Sequence, residues 1–155
     1  MVVIRPAAVG LSAEVEPILR ALPQWFGIEE ATVFYIQQAG ENPTFLAIDR
    51  DADDRPVGFL TLYSHSPFSS EISVMAVLPE YHRRGVGRML LAAAEAHLRD
   101  EGVTFLQVKT LGDKHPDEGY RKTRAFYLSM GFRLLEEFPD LWGSHNPCWQ
   151  LVKVL

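Results

Sequence analysis

Apolar residues recur along this chain at two periods, an alternation of two in short runs bounded by Gly, Pro and Asp, and a helical spacing in the stretches between them. Residues 2–5 read as a short strand closed by Pro6. Val15, Ile18, Leu19 and Leu22 then fall on one helix face, with Ser12 placed as the N-cap and Pro23 as the stop. Trp25, Phe26, Gly27 and Ile28 form an apolar connector to a second helix over residues 29–38, halted by Gly40 and Pro43. Strands follow at 44–49 and 57–64 around a turn-rich stretch at 51–56, and the second of them pairs as an antiparallel hairpin with a strand running from Glu71. A helix over 86–101 carries Leu90, Ala94 and Leu98 on one face and ends at Gly102. A strand at 104–110, a loop at 112–119 and a helix at 120–130 come next, the helix ending in a Schellman stop at Gly131-Phe132. Strands at 133–138 and 149–154, joined by a loop at 139–147, finish the chain. The order βααβββ followed by αβαββ predicts an α/β (α+β) fold, without internal repeats or a low-complexity linker.

The junction at residues 74–91 carries the most chemistry. An apolar strand passes through a short turn with three arginines and two glycines into an apolar-faced helix. The first N–H groups of a helix lack intrahelical partners and sit at the positive end of the macrodipole, and Gly85 and Gly87 remove the Cβ atoms that would hold an anion away. Arg83, Arg84 and Arg88 add donors in fork geometry, yet a cation at a helix start is unfavourable unless an anion offsets it. The misplaced charge therefore predicts a pyrophosphate-bearing ligand. A P-loop would need Lys and Ser or Thr after its last glycine, where this chain has Arg88 and Met89. A dinucleotide fingerprint would need a third small residue where this chain has Leu90.

The stretch His82-Arg83-Arg84-Gly85-Val86-Gly87 resembles motif A of the GNAT N-acetyltransferases, written Gln/Arg-x-x-Gly-x-Gly/Ala, with His82 departing from the usual first residue. The likeness extends to Glu71-Ile72, to Ala76-Val77-x-Pro79 and to Phe126-Tyr127-x-x-x-Gly131-Phe132. It implies the GNAT fold, a twisted mixed sheet of about seven strands splayed between strands 4 and 5 and flanked by about four helices, as a single domain over residues 1–155. It implies acetyl-CoA as cofactor, held by His82, Arg83, Arg84, Gly85, Val86, Gly87 and Arg88 and by strand-four backbone at Met75, Ala76 and Val77, where a bulge frees N–H and C=O groups. It makes Tyr127 the general acid that meets the leaving thiolate, and Glu71 the carboxylate that deprotonates the amine. Solvent, Glu29, Glu30, His65 and His115 remain alternatives to Glu71.

The remaining composition narrows the reading. A chain of 155 residues, 47% hydrophobic and 23% charged, fits one domain. The net charge of −5 argues against nucleic acid and favours cationic partners. No long apolar run suggests a membrane span or leader, so a cytoplasmic protein is expected. Cys148, the single cysteine, has no visible activating partner and reads as a small packing hydrophobe, which favours direct attack in a ternary complex over an acetyl-cysteine route. The five histidines are scattered, the Asp49, Asp51, Asp53 run lacks the glycine and glutamate of a calcium loop, and no metal is expected. Trp25, Phe26, Phe34, Tyr35 and Trp142, with Glu29, Glu30, Glu136, Glu137 and Asp140, would line an acceptor pocket suited to a small cationic amine. A peptide or protein amine is the other acceptor class, a homodimer stays open as an assembly, and a non-catalytic acyl-CoA sensor is the rival function.

Overall fold

Both apolar periods resolve into regular elements in the computed structural model, which describes residues 1–155. The order is β1 (Val2–Ile4), α1 (Ser12–Arg20), α2 (Glu29–Glu41), β2 (Thr44–Asp49), β3 (Arg55–Ser66), β4 (Ser69–Val77), α3 (Val86–Asp100), β5 (Phe105–Leu111), α4 (Glu118–Ser129), β6 (Arg133–Phe138) and β7 (Cys148–Val154). Short 3₁₀ turns at Arg50–Ala52 and Pro79–Tyr81 follow β2 and β4. No helix is long and apolar enough to cross a membrane.

One seven-stranded sheet runs β1-β2-β3-β4-β5-β7-β6. Its pairs are antiparallel except β4 with β5, which run parallel. All six residues of β2 and the stretch 57–62 of β3 are buried, which requires cover on both faces. α1 and α2 supply one cover, packing on β3 and β4, and α3 lies across β1 to β4 as the other. The resulting core joins Val15, Ile18 and Leu19 of α1 to Phe59 and Leu60 of β3 and to Leu90, Leu91 and Ala94 of α3. α4 rests on β5.

Several boundaries differ from the sequence expectation for identifiable reasons. Ser12 is not the N-cap of α1: Leu11 holds that place, and Ser12 Oγ donates to the Ile36 carbonyl at 2.8 Å, across to α2. Gly40 does not stop α2 but lets α1 approach it, since a Cβ there would stand 2.6 Å from Ser12 Oγ. α4 starts earlier than expected, because the Asp117 carboxylate caps it by accepting from the Tyr120 N–H at 3.1 Å. The expected Schellman stop is present: Phe132 N–H donates to the Tyr127 carbonyl and Gly131 N–H to that of Leu128, with Gly131 at φ +95°. α3 closes the same way at Gly102, whose φ is +77°.

Candidate functional site

The parallel ladder between β4 and β5 has four rungs, Ser69↔Phe105 through Ile72↔Val108, and stops there. Beyond Ile72 the strands diverge, so the remaining part of β4 is paired on its β3 side only. The β4 bulge lies at Ser73, where the register steps from Thr61↔Val74 to Leu62↔Ile72, and not at Met75 to Val77 as expected. Antiparallel pairing alternates, and the Leu78 N–H donating to the Val57 carbonyl at 2.8 Å fixes its phase. Val74 and Ala76 therefore bond to β3, while the backbone of Met75 and Val77 faces the gap. One of those groups is already taken. His82 Nε2 lies 2.7 Å from the Val77 carbonyl, so the ring donates there and ties the turn after β4 to the strand end. That contact gives the unusual first residue of the motif a structural partner inside the chain.

At the open end of the gap the turn prepares α3. Arg83 has φ +61° and Gly85 φ +78°, both left-handed, and no side chain caps the helix. The first bond of α3 runs from the Met89 N–H to the Gly85 carbonyl at 3.0 Å, so the amides of Val86, Gly87 and Arg88 have no intrahelical acceptor. A Cβ on Gly85 would meet nothing within 4 Å, which leaves open space above those amides. A Cβ on Gly87 would touch the Phe126 ring at 3.4 Å, so the first turn of α3 packs on α4. Arg83, Arg84 and Arg88 are exposed and none pairs with a carboxylate. The cradle thus fits a diphosphate by its bare amides and by three cations without a counter-charge. Arg84 stacks over the Tyr81 ring at 4.6 Å, and the Tyr81 hydroxyl donates to Asp49. The Tyr81 hydroxyl, with the Asp51 N–H, holds the Asp49 carboxyl below its ordinary range. Sequence reasoning missed this anchor because Asp49 and Tyr81 are far apart along the chain.

Across the gap, Tyr127 lies on α4 with its ring edge-on to Phe126 and Phe132 at 5.3 and 5.4 Å. Its side chain is buried and its hydroxyl has no hydrogen-bond partner in the protein. Burial pushes the phenol well above its ordinary pKa, which suits a hydrogen-bond donor better than a group that gives up its proton. Glu71 sits at the closed end, on the third of the four rungs opposite Gln107, and is not free. Lys109 Nζ reaches its two oxygens at 2.9 and 3.2 Å, and His65 Nε2 stands 2.7 Å from Oε1. Cys148 is fully buried, and burial first and Glu71 second push its thiol up to about 11 against the opposing pull of Lys109. It stays a thiol at neutral pH, which fits a packing role.

The connector between α1 and α2 crosses the mouth of the gap. Trp25 meets the His82 ring edge-on at 5.9 Å, and its carbonyl accepts from the Tyr120 hydroxyl of α4 at 3.1 Å. Phe26 packs edge-on to Tyr35 at 5.8 Å. Burial raises the phenol of Tyr35, with nearby Glu71 adding to the shift, and burial lifts Tyr120 to about 12. Trp25, Phe26, Tyr35 and Glu71 are thus brought to one region, joined by Tyr120 and Lys109, which sequence reasoning did not single out. Other expected wall residues are not. Glu29 is clamped by both terminal nitrogens of Arg20 at 2.9 Å, and Glu137 by Lys114 at 2.9 Å, each pairing lowering the carboxyl pKa. Glu30 and Phe34 face solvent. Trp142 is exposed on the 139–147 loop, which instead lends Ser144 and His145 to a polar cleft of about 490 Å³ shared with Lys114, His115 and Glu137. No group of three His, Cys, Asp or Glu side chains is placed to hold a metal ion.

Comparison with known proteins bears on the family and the fold. Residues 14–132 match the acetyltransferase (GNAT) family. An uncharacterized N-acetyltransferase of Chlorobaculum tepidum is 30% identical over 101 residues, a stretch spanning 63% of this chain and 58% of that relative. The ribosomal-protein-S18-alanine N-acetyltransferase of Escherichia coli superposes with a TM-score of 0.77 at 18% identity, covering 99% of this chain and 94% of its own. An aminoglycoside 6'-N-acetyltransferase solved with coenzyme A superposes with a TM-score of 0.76 at 16% identity, covering 98% and 96%. These two likenesses establish the fold.

Proposed function

The chain belongs to the acetyltransferase (GNAT) family, and from that premise we propose that it moves an acetyl group from acetyl-CoA to a primary amine by direct attack in a ternary complex. The observation that carries this reading is the cradle at residues 83–88, with unpaired amides and three partnerless arginines at the open end of a strand gap. Bound there, acetyl-CoA supplies the thioester. Arg83, Arg84 and Arg88 would hold the diphosphate with the amides of Val86, Gly87 and Arg88, and the free Met75 groups and the Val77 N–H would pair with the pantetheine arm along β4, the Val77 carbonyl being taken by His82. A donor from that edge polarises the thioester carbonyl. Tyr127, whose side chain is buried and whose hydroxyl has no partner in the protein, donates to the sulfur as charge develops on it, and Glu71 serves the deprotonation of the amine.

Small cationic amines are the acceptor class this reading places first. The aromatic wall of Trp25, Phe26, Tyr35 and Tyr120 suits a cation, and the net charge of −5 attracts one. With Glu29 and Glu137 committed to ion pairs with Arg20 and Lys114 and Glu30 turned to solvent, the aromatic faces carry the recognition of the cation. Calorimetric titration with CoA and acetyl-CoA, followed by thiol release against a panel of polyamines, aminoglycosides, amino-acid derivatives and peptides, tests both levels. Cofactor heat with amine-dependent thiol release is expected. Heat without release for any amine would mean a sensor, and no heat would remove the cofactor reading altogether.

A further inference from the structure

A primary amine already rests on the carboxylate at the closed end of the gap. Lys109 follows Val108, the β5 half of the last rung, and so stands at the vertex, level with the bulged Ser73 of β4. Its ammonium lies 2.9 Å from Glu71 Oε2 and 3.2 Å from Oε1. Met75, whose backbone faces the gap, is two residues further along β4, roughly 7 Å at a strand's rise per residue. That is a distance the flexible stem of a lysine covers by changing rotamer. The other three lysines are placed differently: Lys114 pairs with Glu137 at the surface, Lys122 is exposed on α4, and Lys153 is held by Glu95.

We propose that Lys109 is itself an acceptor, so that the protein charged with acetyl-CoA acetylates its own Lys109 Nζ. The inference rests on the acetyl-transfer reading of the gap. Glu71 takes one proton from the ammonium and passes it to water. The freed Nζ lone pair forms a bond to the thioester carbonyl carbon, and the carbon–sulfur bond breaks. A second ammonium proton ends on the departing sulfur, and the third remains on the new amide. The products are Nζ-acetyl-Lys109, CoA thiol and one proton released to solvent. The modification removes the positive charge that neutralises Glu71, leaving that carboxylate with His65 alone and open to the ammonium of a second acceptor.

The test is incubation of the whole protein with less than one equivalent of acetyl-CoA, then peptide mapping by mass spectrometry. A single acetyl group on Lys109 is expected ahead of Lys114 and Lys122, which uncatalysed acetylation would reach first because they are the more exposed. Glu71→Gln should slow the labelling by at least about tenfold. Lys109→Arg, which keeps a cation beside Glu71, should abolish it, and excess desulfo-CoA should block it. Labelling of Lys114 or Lys122 first, labelling of Lys109 at an unchanged rate in Glu71→Gln, or an unlabelled Lys109 in protein that calorimetry shows to bind the cofactor would each overturn the proposal while leaving the proposed function standing. Absence of cofactor heat would overturn both.

Discussion

The two halves of the sheet are built to different standards. Strands β3 and β4 carry helices on both faces, and β2 is buried from end to end. Strands β5, β7 and β6 carry α4 on one face, and on the other they leave Phe105, Leu135 and Val154 at 42, 59 and 68% exposure. The strand ladder that joins the halves has only four rungs. The thick half holds the cradle and the free edge of β4, while the thin half brings Tyr127 and Lys109. The difference teaches that the site is divided between two bodies, and that side chains crossing between them set its geometry as much as the ladder does.

The bridge whose loss should matter most is Glu95 of α3 with Lys153 of β7, at 2.7 Å, where the carboxylate side chain is 6% exposed. Lys153→Met leaves that buried carboxylate with Arg99 alone, at 3.2 Å, and is expected to cost about 3 kcal/mol. Thermal unfolding should register this as roughly 10 °C. Adding Glu95→Leu should restore most of it, and a loss below about 1 kcal/mol would show that Arg99 suffices.

A sharper cut separates chemistry from packing in the thin half. Because the Tyr127 hydroxyl bonds to nothing in the protein, Tyr127→Phe should leave stability and CoA affinity unchanged while lowering turnover about 100-fold, near 2.7 kcal/mol of barrier. Equal losses of affinity and turnover would place the hydroxyl in cofactor binding instead.

The smallest effect concerns the thick half's hold on its own cradle, through Asp49 and Tyr81. The folded pKa of Asp49 is lowered, so its contribution is complete above the unfolded carboxylate value of about 3.9 and is lost as pH falls through the lower folded value. Stability of the native protein should therefore fall more steeply than that of Asp49→Asn below that value. Parallel acid limbs in the two proteins would mean that the contact contributes nothing.

The parts of this molecule that were legible in the sequence are those encoded within a few residues. The strand, turn and helix at 74–91 could be read because the arginines, glycines and apolar positions that define the cradle are contiguous, and the stop at Gly131-Phe132 because glycine supplies its left-handed φ. What escaped depended on pairing across the chain. The bulge at Ser73 follows from register with β3, and the role of Gly40 follows from where α1 crosses α2. The commitments of Glu29 to Arg20 and of Glu71 to Lys109 are invisible in composition, since a carboxylate looks the same whether or not a cation has claimed it.

Trp25 gives the gap a fixed span. Its ring leans on the turn after β4 while its carbonyl is held by the first turn of α4, so a wedge stapled at its tip by four rungs is also strapped at its mouth. Spreading that frame would break the Tyr120 bond and the Trp25 contact. What slides between the strands must be as thin as an extended arm, and a bulky acceptor has to meet it from the sheet face beside the strap rather than follow it in.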